Sequence, residues 1–182
     1  MDDQTSPEEV LRFWRKAGPD AWFTKNAEFD EHCQSRFMHA HERAASGEFA
    51  DWQGSPDGAL ALLILLDQIP RNMFRGDPRT WATDPLARQV AERAIAKGYD
   101  REVPRELRQF FYVPFMHAED LAAQEWSVAL YEAHGDPENL KWARHHRDII
   151  ARFGRFPHRN QVLGRETTPE EQAYLDEDPF RG

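Results

Sequence analysis

Apolar residues recur every three or four positions along most of this chain, and prolines and glycines punctuate the pattern. Ser6-Pro7-Glu8-Glu9 has the form of a helix start: an N-cap serine, proline at the first helical position and a capping-box glutamate. Val10, Phe13, Trp14 and Ala17 continue as a stripe that Gly18-Pro19 ends. A second helix is predicted after Asn26, with Phe29, Cys33, Phe37, Ala40 and Ala44 inward and Gly47 as its stop. The third starts at Ser55-Pro56 and runs through GALALLILLDQ, apolar on every side, so it is predicted to be central and fully buried, with Asp67 at its end.

A fourth helix spans Asp84-Pro85 to Gly98, with Leu86, Val90, Ala91 and Ala94 inward. RELRQFFYV after Pro104 predicts a short helix broken near Pro114. Another covers Ala118 to His134, and Asp136-Pro137 caps one running to Phe153 before Gly154. Thr168-Pro169-Glu170-Glu171 opens a last short piece. No segment alternates as a strand would, and β-branched residues are sparse. The expected fold is all-α: about seven to eight antiparallel helices in a bundle or a stack of helical repeats, although no clean internal period is present. With 182 residues and no linker, one domain is expected over 1–182, carrying an acidic tail from about 166.

Composition narrows the function classes. Twelve Phe and six Trp argue against disorder, and the longest apolar run, Ala59 to Leu66, is too short for a bilayer. The acidic start MDDQTSPEEV is unlike a signal peptide, and one cysteine excludes an internal disulfide framework, so a cytoplasmic location is expected. A net charge of −9 argues against a general nucleic-acid binder. Yet RHHRDIIARFGRFPHRNQVLGRE holds six arginines and three histidines in Arg144–Arg165 against one acid there, Asp148. An acidic tail following this segment could fold back on it.

Two Arg-Asn corners therefore carry the candidate chemistry. In the first, Asp67 at a helix C-terminus would be unfavourable unless paired, and Arg71, Arg75, Arg152 and Arg155 are its candidate partners. In the second, His145, Asp148 and Arg152 share a helix face, and Arg155, His158, Arg159 and Asn160 follow in a proline-stiffened turn. His146, Ile149, Ile150 and Phe153 are predicted core. Guanidinium forks bind carboxylate or phosphate, and asparagine can orient the same ligand. A third element, FMHAEDLAAQE, sets His117 beside Glu119 and Asp120 in the first turn of a helix, with Gln124 four residues past Asp120. That grouping suits acid–base chemistry. Nothing has the spacing of a metal site, a nucleophile elbow or a phosphate loop, and Cys33 falls at a core position. No cofactor is called for. Phe29, Phe37, Phe110, Phe111, Trp126 and Trp142 are predicted to pack in the core.

LDQIPRNMFRG, HAEDLAAQE and HRDIIARFGRFPHRNQVLGRE, together with VLRFW, WATDPLAR and TTPEE in the same order, resemble an uncharacterised bacterial family, domain of unknown function 924. The resemblance covers nearly the whole chain and implies an all-helical domain of tetratricopeptide-like architecture, a kind of fold that often presents a concave binding face. The expectation is a polar cleft holding a small anionic ligand. Arg71, Asn72, Arg75, Asp120, Arg155, Arg159 and Asn160 would bind it. Asp67, His145, Asp148 and Arg152 would stand behind them, and His117, Glu119 and His158 are candidates for proton transfer. The alternative is a helical scaffold for a protein partner, in which the same residues form a structural ion network.

Overall fold

Helix follows helix along the whole of the computed structural model, which describes residues 5–177. The first four residues and the tip of the acidic tail, 178–182, lie outside the described residues. Among those described there is no strand, so the all-α expectation holds. Among the described residues no helix is long and apolar enough to cross a membrane. The chain forms two compact units, one up to Pro114 and one from Phe115.

In the first unit α1 (Pro7–Ala17) packs on α4 (Pro56–Leu63), with a short α2 (Pro19–Trp22) after Gly18. The Ser6 hydroxyl accepts the Glu9 N–H as the capping motif requires, but the Glu9 carboxylate is drawn to Arg36, so the box forms only by half. The long α3 (Ala27–Ser46) starts at Asn26, whose side chain accepts two backbone N–H groups, and ends at a left-handed Gly47. It packs on α5 (Ile69–Met73), while α6 (Asp84–Ala96) lies on α4.

The central apolar helix does not stop at Asp67. A π turn, Ile64–Gln68, joins α4 to α5, and the chain stays helical through Pro70. The wide turn sends the Ile69 N–H to the Ile64 carbonyl, and Pro70 has no N–H to give. The carbonyls of Leu65 and Leu66 must therefore look outside the helix. His41 Nδ1 donates to the first at 2.9 Å and Thr83 Oγ1 to the second at 2.5 Å. A buried C=O left alone would cost about 1–3 kcal/mol, so these two side chains make the proline tolerable.

The break expected near Pro114 is also absent: α7 (Gln109–Met116) runs straight through it. One interior proline costs about 3 kcal/mol. Phe110, Phe111, Phe115 and Met116 are all buried, at about 1.5–3 kcal/mol each, which outweighs it.

In the second unit α8 (Leu121–His134) and α9 (Pro137–Phe153) form an antiparallel pair. Asp120 caps α8 by accepting the Ala123 N–H, so the helix begins three residues later than predicted and Glu119 stands outside it. A turn, Pro157–Arg159, leads to α10 (Pro169–Glu177), which packs against it. Ile149, Ile150 and Phe156 form a small core that Phe153 and Tyr174 flank. Trp126 and Trp142, expected inside, are 39% and 40% exposed. Each lies at the edge of its helix's apolar stripe, with one side against Phe115 or His145 and the rest in solvent.

Candidate functional site

The first Arg-Asn corner is built on the π turn. Asp67 is buried and accepts the Gln68 amide at 2.6 Å; Arg71 lies 3.5 Å from its carboxylate and donates to its carbonyl. Arg71 then makes a two-pronged pair with Asp84 on α6, at 2.9 and 2.8 Å. Burial by itself would lower the guanidinium's pKa, but the charges of Asp67 and Asp84 outweigh it and fix the cation. Asn72 and Arg75 both turn to Asp30 of α3, Asn72 at 2.8 Å and Arg75 through Nε and Nη2. Of the four arginines weighed as partners for Asp67, Arg71 fills the place, one helical turn away.

The same face of α3 carries Cys33, fully buried, its thiol pushed up to about 12 by burial and then by the Asp30 charge. It is inert as a nucleophile.

The second corner is organised around Phe156. Its backbone N–H donates to Glu119 Oε1 at 2.8 Å, and its carbonyl accepts from Arg165. Arg165 also grips both oxygens of Glu119 and the amide oxygen of Asn160. Glu119 is thereby held below the usual carboxylate range: burial pushes it up, but the Arg165 and Phe156 hydrogen bonds and the Arg159 and Arg165 charges prevail.

Glu171 is the second anchor. Arg155 binds both its oxygens, Asn160 and the Thr168 N–H add to one of them, and the Glu171 N–H returns to Thr168 Oγ1. This is the capping box predicted for α10, closed in both directions. Its carboxyl falls to about 2, chiefly through the Arg155 hydrogen bond and against the effect of burial. Two acids of the tail thus meet the basic segment, Glu171 at Arg155 and Glu170 at Arg152.

Imidazoles gather at the same place. His146 and His158 lie 5.5 and 5.6 Å from the Phe156 ring, and the Arg159 guanidinium lies over it at 4.5 Å. His146 Nδ1 donates to the Trp142 carbonyl, which fixes its tautomer. Burial, reinforced by His117, His145 and Arg159, depresses its pKa to about 3, so it stays neutral.

The turn carrying His117 is held along its backbone. Gln124 Nε2 donates to Met116 O at 2.6 Å and to Ala118 O at 2.7 Å, and Arg159 Nη2 donates to His117 O at 3.0 Å. Three successive carbonyls are pinned by two buried side chains.

Comparison with known proteins places this architecture. A family described as bacterial protein of unknown function (DUF924) matches residues 10–178. The chain belongs to that family. The solved structure of a protein of unknown function, ATU0120, from Agrobacterium tumefaciens is 52% identical to it. That match has a TM-score of 0.92 and covers 94% of this chain and 97% of that one. None of the curated proteins matches the chain.

Within this family member the predicted site residues fall into two groups, one in each unit. Asp67, Arg71, Asn72 and Arg75 belong to the first; His117, Glu119, Arg155, His158, Arg159 and Asn160 to the second. Asp120 is exposed and serves as the α8 cap. Asp148 faces solvent and pairs with Arg147, and Arg152 is exposed beside Glu170. His145 stacks edge-on between Trp142 and His146. Among the described residues no three His, Cys, Asp or Glu side chains are grouped to hold a metal ion.

Sequence reasoning missed Arg165 and Glu171 as members of the second cluster, and Asp30 and Asp84 as anchors of the first; it placed Gln124 beside Asp120 without its reach to the His117 turn. Only the Thr168–Glu171 spacing announced one of them. Asp30, Asp84 and Arg165 bind partners 13 to 46 residues distant along the chain.

Proposed function

We propose that this protein binds a small carboxylate- or phosphate-bearing ligand at the His117–His158–Arg159 cluster of its second unit, with His117 and His158 available for proton transfer. The observation that carries the reading is the clamped His117 turn, whose three successive carbonyls are taken by Gln124 and Arg159. Fixing three consecutive peptide units goes beyond what closing a turn requires. It fixes the backbone from which the His117 side chain projects, as a preorganised site needs.

The chemistry of the neighbours divides the roles. Glu119 and Glu171 are saturated with donors and stay ionised, so they hold the loop rather than carry protons. His146 is too weak a base for proton transfer near neutral pH. Arg159 supplies positive charge from a buried position over Phe156. Arg71, Asn72, Arg75 and Arg155 are supports, each engaged with a carboxylate of its own unit.

Thermal unfolding against a panel of anionic metabolites at millimolar concentration or below tests this. One chemical class is expected to raise the melting temperature by a few degrees, as occupancy well above Kd would do. His158→Ala should lose the response while remaining folded.

A second reading has its own support. Leu121, Trp126 and Trp142 on α8 and α9 are exposed, and large exposed aromatics are typical of protein-binding surfaces. On that reading the molecule is a helical scaffold for a protein partner. Indifference to the whole anion panel would favour it.

A further inference from the structure

The flank of α1 facing α3 is a groove of about 500 Å³, a volume in the range of small-molecule sites. Arg12 and Lys16 stand one turn apart on the α1 side, and His32 and Arg36 one turn apart on the α3 side. Phe13 lines it between them, its ring stacked on Phe29 at 5.6 Å and edge-on to Phe37 at 4.9 Å. Ser35 adds a hydroxyl, and Glu9, the one acid in the lining, is engaged with Arg36.

Among the described residues neither Arg12 nor Lys16 meets a carboxylate, although the chain as a whole carries −9. Every other arginine singled out for this protein's chemistry is engaged with an acid or a carbonyl. Arg15 on the same helix also meets no acid among the described residues, so what marks the groove is the grouping of Arg12 and Lys16 with Arg36 across an aromatic ring in a concave surface. The shape and charge suit an anion with a flat apolar body: the body against Phe13, the charge between Arg12, Lys16 and Arg36.

We infer that the α1–α3 groove is a binding site for an aryl anion of charge near −2, a phosphate monoester or a dicarboxylate. It lies wholly in the first unit and is independent of the site proposed above.

Isothermal titration of the full chain with phenyl phosphate, phthalate and inorganic phosphate distinguishes the sources of charge. Phenyl phosphate or phthalate should bind at least tenfold more tightly than inorganic phosphate, and the affinity should fall with added salt. The double variant Arg12→Gln/Lys16→Gln alters exposed side chains, so its melting temperature should match the wild type while its affinity falls at least tenfold. His117→Ala, in the other unit, removes the site proposed above, so the binding component that disappears in the double variant should persist in it. Equal affinity in the wild type and the double variant would overturn the inference. So would loss of that component in His117→Ala, or no heat from any probe at millimolar concentration.

Discussion

Glu171 is a strongly perturbed carboxylate, and its consequence is a pH dependence of known sign. Its folded pKa, about 2, lies below the ordinary glutamate value of 4.5. The stability it contributes is therefore complete above pH 4.5 and is lost as pH falls toward 2. A shift of this size corresponds to something on the order of 3 kcal/mol. Glu171→Gln should lower the unfolding free energy from urea titration at pH 7 by about that amount and flatten the loss of stability as pH falls below 4.5. A variant whose midpoint follows the wild type across that range would show that the carboxylate is not a structural anchor.

Gln124 makes a prediction of another kind. Replacing it by leucine frees the carbonyls on either side of His117, so the ligand response should weaken even though Gln124 itself need not touch the ligand. Glutamate at this position cannot donate at neutral pH and should not restore the response. The role of Gln124 was half legible in the sequence. Its position four residues past Asp120 placed it on the right helix face, but its reach back to Met116 and Ala118 depends on where α8 begins. Asp120 decides that by acting as the cap rather than as part of the first turn.

At the scale of elements, the sequence conveyed helices better than their continuity. Prolines at the first helical position, Asn26 as an N-cap and glycines at Gly47, Gly135 and Gly154 located most ends, because each acts through its nearest backbone groups. Pro70 and Pro114 misled for the opposite reason: their cost is local, and what offsets it comes from elsewhere in the fold. Thr83 and His41 are distant in sequence from the carbonyls they satisfy. Thr83→Val should thus cost about 1–3 kcal/mol by leaving the Leu66 carbonyl unpaired. Pro70→Ala restores an N–H within reach of that carbonyl and should reduce the penalty in a double-mutant cycle. Additive effects would mean that the proline does not make Thr83 necessary.

Gly58 gives a sharper test of packing. A Cβ there would fall 2.1 Å from the Trp52 carbonyl oxygen, a backbone atom that cannot swing away. Gly58→Ala should destabilise the first unit despite alanine's better helix propensity, by about 1–3 kcal/mol in chemical denaturation. A neutral or stabilising effect would contradict the close approach of the 3-10 turn Ala50–Gly54 to α4.

For the whole molecule, the basic segment is less of an anomaly than its composition suggests. Arg152 and Arg155 find acids on α10, Arg165 finds Glu119, and the excess positive charge narrows to the region around Arg159 and the imidazoles. In the first unit the Arg-Asn corner is likewise spent on Asp30, Asp67 and Asp84. Both corners were legible as places where arginine needs an acid, but the choice among acids was not. Ion pairing has no sequence period, and it joins residues up to 46 positions apart.

The clamped His117 turn is the centre of the proposed ligand site. Its most direct test is an imidazole correlation spectrum of the folded protein, with all eight histidines assigned, during titration with inorganic phosphate and then with succinate. The His117 and His158 signals should move together and saturate with one of the two anions, while His146, neutral and buried, keeps its tautomer. Signals from His117 and His158 that stay fixed through both titrations, in a protein that remains folded, would contradict it.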